Sequence, residues 1–211
     1  MSTVTVITPW LHHPELVPGY AAAVEGADQV IVVLNDGDPA MFTGHDFLIH
    51  QPGKPLGFAA ANNRGLAFAD GEVVVFLNND VEGTGEWLER VRAEVEPGAL
   101  YGPSDGLREV AGVRVPYIEG WCIAACADTW GALGGWDAEA YPGMYWEDVD
   151  LSFRAMVAGV RLVRTAGWRL RHLSNTTSGT APGAYDHSER NAQTFRARVC
   201  AHLNREVPNA A

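Results

Sequence analysis

The chain has 211 residues, enough for one domain with a sizeable core, and it carries a formal net charge of −11 with a pI near 5.0. That balance argues against a nucleic-acid or anionic-membrane partner, because no excess of Lys and Arg exists to neutralise phosphates, and any phosphate handled here needs a metal for most of its counter-charge. Cys122, Cys126 and Cys200 form neither a disulfide framework nor a zinc pair, no basic leader opens the chain, and no apolar run approaches a transmembrane segment, so a reducing, cytoplasmic setting is expected.

Strand-like and helix-like runs alternate along the chain, the pattern of an α/β protein with a mostly parallel sheet and crossover helices. Val4 to Thr8 reads as the first strand, ended by Pro9. A helix is predicted over Glu15 to Val24, and Val30 to Leu34 reads as the second strand, followed by a turn at Asn35, Asp36, Gly37 and Asp38. An Ala-rich helix covers residues 58 to 69, Val73 to Leu77 is the third strand, and Trp87, Leu88, Val91 and Val95 give Glu86 to Val95 helical spacing. Gly and Pro become frequent from Leu100 to Arg114, which places the boundary between two halves there. Beyond it lie short strand-like runs at Tyr117 to Ile123, Arg161 to Val163 and Arg169 to Arg171, and helices at Val149 to Ala158 and Glu189 to Leu203. A polar segment spans Ser174 to Ser188, and the sequon at Asn175 is expected to be idle without an export signal.

The run VVVFLNND, residues 73 to 80, delivers Asn78, Asn79 and Asp80 to the carboxyl end of a buried strand. Ligands of open α/β sheets bind in the crevice at those ends, where a carboxylate can hold a divalent cation against a phosphate. Thr8 and Pro9 after the first strand, and Asn35 and Asp36 after the second, face the same crevice by topology; their plainer role is to form turns. In GFAAANNRG, Gly57 opens a helix of small residues, with Asn62, Asn63 and Arg64 nearby as donors. No G-x-G-x-x-G follows the first strand and no P-loop lysine motif occurs, which argues against dinucleotide enzymes and ATPases.

In MYWEDVDLSF, three carboxylates, Glu147, Asp148 and Asp150, stand at or before a helix start. Capping and dipole compensation need only one of them. The preceding segment is rich in glycines and aromatics, as a wall for a polyhydroxylated ligand would be, so a carboxylate beside it could take a proton from an acceptor hydroxyl. Gly120, Trp121 and Trp146, with Trp136 as a further candidate, are the expected acceptor contacts. Asp150 is expected to support the helix start, with Asp150→Asn costing far less than Asp148→Asn. His172, paired with Asp80, is a plausible imidazole ligand for a cation such as manganese.

The succession TPW, VVLNDGD, GFAAANNRGLAFADGEVVVFLNNDVE, GGWDAEAYPGMYWEDVDLSFRAMVAG and RHLSNTTSG resembles the inverting family 2 glycosyltransferases, particularly their rhamnosyltransferase-like branch, from about residue 4 to about residue 195. The resemblance implies a single GT-A domain, Rossmann-like, with a nucleotide-sugar half to about residue 100 and a smaller acceptor half beyond. It implies a UDP-, dTDP- or GDP-sugar donor, a divalent cation (Mn2+ or Mg2+), and a carbohydrate, glycolipid or protein acceptor. By motif match Asp80 is the metal ligand, Asp148 of the Glu147–Asp148 pair the catalytic base, and His172 a ligand to metal or diphosphate. Three positions depart from the pattern: Asn78 replaces the first acid of the metal motif, Asn35 stands where many members have Asp, and Pro55 where many have Asn. The chain stops soon after these motifs, so a soluble acceptor is the simpler expectation.

The expected reaction is a single in-line displacement with inversion. A catalytically silent nucleotide-sugar-binding module would keep every donor contact without turnover, although the intact Glu147–Asp148 pair argues for an enzyme. A nucleotidyltransferase would be expected to carry a basic, Gly-rich loop after the first strand, and TPWLHH is not one. A glycosidase needs no nucleotide crevice.

Overall fold

The computed structural model describes residues 1–173 and 186–206. Most of the expected polar segment, residues 174–185, and the sequon at Asn175 lie outside the described residues.

The chain begins with β1 (Val4–Leu11), α1 (Val17–Ala23), β2 (Gln29–Asp36), β3 (Leu48–His50), α2 (Phe58–Leu66), β4 (Val73–Leu77), β5 (Val81–Gly83) and α3 (Glu86–Glu94). It continues with β6 (Ala99–Gly102), the hairpin β7 (Asp105–Val110) and β8 (Val113–Ile118), then β9 (Cys122–Cys126), α4 (Ala127–Leu133), α5 (Glu147–Val157), β10 (Arg161–Arg164), β11 (Leu170–His172) and α6 (Ser188–Glu206). Seven strands form one sheet in the order β10-β6-β9-β4-β1-β2-β3. All its neighbours are parallel except β9, which runs against both β4 and β6. The expected mostly parallel α/β sheet is therefore present.

Both faces of this sheet are buried, and the two-residue period of a strand sorts the side chains between them. Val4, Val6, Val73, Val75 and Leu77 face the helices that contribute Val17, Tyr20, Trp87, Leu88 and Val91, in α1 and α3. Ile7, Val74 and Phe76 face the opposite way, onto Ala59, Trp130, Leu151 and Ala155 of α2, α4 and α5. A third cluster joins the β7–β8 hairpin to α5 and α6 through Val115, Tyr117, Val149, Phe153, Phe195 and Val199.

Several boundaries differ from expectation. Pro9 does not end β1; it stays in register with Val33, while pairing with β4 stops at Ile7, so a residue without an N–H sits where the strand is paired on one side only. Asn35 and Asp36 belong to β2, and the turn begins after them. Pro18 occupies the first turn of α1, and the expected helix start at Glu15 is instead a separate 3-10 turn, Pro14–Leu16. The segment Leu100 to Arg114 is not a linker: it holds the end of β6 and most of a hairpin, whose two turn residues Ala111 and Gly112 have φ of 52° and 77°. The run Tyr117 to Ile123 breaks into the end of β8 and the start of β9. No described helix is long and apolar enough to cross a membrane.

Candidate active site

A cleft of about 850 Å³ opens at the carboxyl ends of β1, β2 and β4. On its sheet side the chain leaves β4 through Asn78, Asn79 and Asp80, the last two almost fully buried. β5 follows at once and pairs antiparallel with β11, placing His172 opposite Val81. The amide of Leu173 donates to the Asp80 carbonyl at 2.8 Å, which fastens the end of β11 to this turn. As a result His172 Nε2 lies 3.0 Å from Asp80 Oδ1, although 92 residues separate the two.

Two contacts fix the imidazole further. Asn78 Nδ2 lies 3.4 Å from His172 Nε2, and the Trp121 indole stacks on the ring at 4.9 Å with an interplanar angle of 5°. Trp121 is held in turn: its Nε1 donates to Glu119 Oε2 at 3.2 Å, and its carbonyl accepts from Asn78 N at 2.8 Å. An indole face at this distance shields protons above it, so in NMR spectra the His172 ring protons are expected upfield of those of histidines that stack on no ring. In Trp121→Ala they should move downfield while the other histidine signals stay in place. Unmoved His172 signals would dissolve the stack.

The opposite wall is the first turn of α5. Tyr145 and Trp146 enter it with φ of 74° and 77°, a left-handed conformation uncommon for non-glycine residues. The α6 residue Asn191, fully buried, holds this entry by donating to the carbonyls of Pro142 and Tyr145, at 3.1 and 3.0 Å. Glu147 and Asp148 are thereby placed at the cleft. Asp148 accepts from the amides of Gly120, at 3.0 Å, and Val149, at 2.8 Å. A Cβ on Gly120 would stand 3.2 Å from the Asp148 Cβ, so glycine lets the carboxylate come this close to the backbone. Burial raises the Asp148 pKa, opposed by those two amides and by the positive charge of Arg108. Burial also raises that of Glu147, reinforced by the charge of Asp148, and Glu147 Oε2 meets no donor among the described residues.

Twelve of the residues expected at the site line the cleft: Pro9, Asn35, Gly57, Asn78, Asn79, Asp80, Gly120, Trp121, Trp146, Glu147, Asp148 and His172. Thr8, Asp36, Asn63 and Arg64 do not. Thr8 is fully buried and its hydroxyl lies 2.7 Å from that of Tyr20. Asp36 turns outward to His12, 2.9 Å away. Asn63 joins α2 to the backbone of Trp136, donating to its carbonyl at 2.7 Å and accepting from its amide at 2.9 Å. Arg64 donates to His50 and lies over the Phe68 ring. Asn35 and Gly57 also meet the chain itself: Asn35 Oδ1 accepts from Leu56 N at 3.0 Å, and Gly57 abuts Gly143 so closely that a Cβ would fall 2.7 Å from its nitrogen. Trp136 is core, buried against Phe76 and Phe58.

Asp150 departs furthest from its expected role. It is fully buried, and its carboxylate accepts from Tyr141 Oη at 2.9 Å, Arg154 Nε at 2.8 Å and Arg198 Nη1 at 2.5 Å. It therefore joins α5 to α6 and does far more than support a helix start. Residues not anticipated from sequence include Arg108, Tyr117, Glu119 and Tyr145. The usable signal for the first two was the alternation of DGLREV and VRVPYI about an Ala-Gly turn.

Comparison with known proteins agrees with this geometry. Residues 27–115 match the model of glycosyl transferase family 2. An uncharacterized protein of Mycobacterium tuberculosis is 30% identical over 186 residues, covering 76% of this chain and 69% of that one. A pre-mycofactocin glycosyltransferase of the same species is 29% identical over 167 residues, covering 63% of this chain and 35% of the relative. The structure of a mannosyltransferase from Pyrobaculum calidifontis, in complex with GDP-Man and Mn2+, superimposes with a TM-score of 0.63 at 16% identity, covering 92% of this chain and 69% of that one. The sheet, with a cleft at its carboxyl ends, is that of the GT-A glycosyltransferases. Over residues 27–115 the chain carries a glycosyl transferase family 2 domain.

Proposed function

We propose that this chain is a metal-dependent, inverting glycosyltransferase that moves a sugar from a nucleoside-diphosphate donor to an acceptor hydroxyl. The observation that carries the reading is the meeting, in one cleft, of the Asp80–His172 pair on one wall and the Asp148 carboxylate on the other. The mannosyltransferase of similar fold, crystallised with GDP-Man and Mn2+, supports the donor class and the cation.

The donor atoms fit a divalent cation. A carboxylate oxygen and an imidazole nitrogen converge at 3.0 Å, and the buried Asn78 Oδ1 beside them meets no donor among the described residues. No group of three or more His, Cys, Asp and Glu side chains gathers among the described residues, so the remaining ligands of a cation at this pair would have to come from substrate phosphates and water. Bound at this pair, the cation would supply positive charge to the departing diphosphate.

Asp148, fixed by two backbone amides, takes the proton of the acceptor hydroxyl as the oxygen attacks the anomeric carbon. Its raised pKa suits it to hold that proton. Attack from the face opposite the diphosphate inverts the anomeric centre. Trp146 and Tyr117 flank the acceptor, and Trp121 keeps the imidazole in place.

The test is a thermal-shift screen of nucleoside diphosphates and nucleotide sugars with and without Mn2+. A ligand at a hundredfold excess over its Kd stabilises the folded chain by about 2.7 kcal/mol, a rise of several degrees. The metal-dependent part should vanish in Asp80→Ala. An equal shift in wild type and variant would remove Asp80 from the site. Nucleotide-sugar binding with neither transfer nor donor hydrolysis would favour a silent binding module.

A further inference from the structure

The cleft holds one more group that the proposed chemistry leaves unused. Arg108, on β7, is the single Lys or Arg among the described residues that line it, against five carboxylates: Asp80, Glu119, Glu147, Asp148 and Asp186. Its guanidinium lies over the Tyr117 ring and the Trp146 ring, 5.6 Å from each centroid. Arg108 forms no ion pair among the described residues, whereas seven other arginines, Arg90, Arg92, Arg154, Arg161, Arg164, Arg171 and Arg198, each meet a carboxylate. Two aromatic faces therefore orient a planar fork of N–H donors without using those donors. Its charge also reaches Asp148. The fork thus lies over Trp146, two residues before Asp148, and lines the same cleft as that carboxylate.

An acidic cleft repels an anionic acceptor unless a cation waits for it, and a neutral sugar has no need of one there. We infer that Arg108 is an acceptor subsite for an anionic group, a carboxylate or a phosphate, carried by the molecule whose hydroxyl is glycosylated. The inference rests on the proposed transfer reaction for the word acceptor, but the anion preference can be measured apart from turnover. A charge-assisted hydrogen bond to such a fork raises affinity by about tenfold or more.

The test uses the full chain preloaded with Mn2+ and a nucleoside diphosphate, so that the diphosphate site is filled. Methyl glucoside, methyl glucuronide and methyl glucoside 6-phosphate are then titrated by ligand-observed NMR. The glucuronide arm reads a carboxylate, the 6-phosphate arm a phosphate, and the glucoside neither. At least one anion should bind about tenfold or more tighter than the neutral glycoside, and Arg108→Gln should collapse that preference. Arg114→Gln, on the same hairpin but outside the cleft, should leave it intact. Equal affinities, no measurable binding of any glycoside, or a preference that survives in Arg108→Gln overturns the inference. Failure of the nucleotide to bind with Mn2+ in the preloading step counts against the proposed function instead, so the two can be told apart.

Discussion

On the proposed mechanism, replacing Asp148 with Asn is expected to slow sugar transfer by at least ~10²-fold while nucleotide-sugar affinity changes little, because general-base catalysis contributes roughly 10²- to 10⁴-fold and the diphosphate would be held at the Asp80 wall of the cleft. The substitution keeps the side chain's shape and one of its two acceptor positions toward the amides of Gly120 and Val149. What it removes is the ability to take a proton. The pH profile gives an independent reading. Since burial raises the Asp148 pKa, the acid limb of the wild-type rate should lie above the ordinary carboxylate range, with the rate rising as the group loses its proton. That limb should disappear in Asp148→Asn. Transfer at the wild-type rate would place the base elsewhere, with Glu147 next to be tested.

Asp150→Ala, two residues away, should fail for a different reason. It leaves Arg154, Arg198 and the Tyr141 hydroxyl around a site from which the Asp150 carboxylate has gone. Breaking a buried ion pair in this way costs about 3–5 kcal/mol. The lower end applies here, because Arg198 keeps Asp137 and Arg154 keeps the carbonyls of Leu133 and Gly135. For a chain of this length that corresponds to a fall in Tm of roughly 6 °C or more, read in a thermal or denaturant melt. A melt within about 2 °C of wild type would show that the network does not hold α6 in place.

How far the site was legible depended on the kind of geometry each residue needed. Asn78, Asn79 and Asp80 could be found because a buried apolar run points its own end at the crevice, and nothing beyond strand periodicity is required. Choosing between neighbours was harder. Successive side chains of a strand face opposite ways, so of Thr8 and Pro9, and of Asn35 and Asp36, one member of each pair reaches the cleft and the other cannot. Asn63 and Arg64 fall on faces of α2 turned toward Trp136 and His50, and the helical period alone does not say which face meets the ligand. The approach of His172 to Asp80 depends on the β5–β11 pairing, which no local pattern specifies; family resemblance supplied it. Asp150 read as one of a run of helix-start acids because its partners Tyr141 and Arg198 come from opposite directions along the chain. Arg108 lies on a hairpin whose Gly and Pro content resembles that of a boundary between halves, so its place in the cleft is hidden from composition.

The entry into α5 has a cost that reaches beyond catalysis. Tyr145 and Trp146 both hold left-handed backbone conformations, and strained positions of this kind cost about 1–3 kcal/mol each when occupied by non-glycine residues. Glycine at either position would ease the backbone, but it would take away a ring that lines the cleft. Selection for heat resistance and selection for turnover would therefore pull in opposite directions at these two residues. Stabilising substitutions compatible with activity belong elsewhere in the chain.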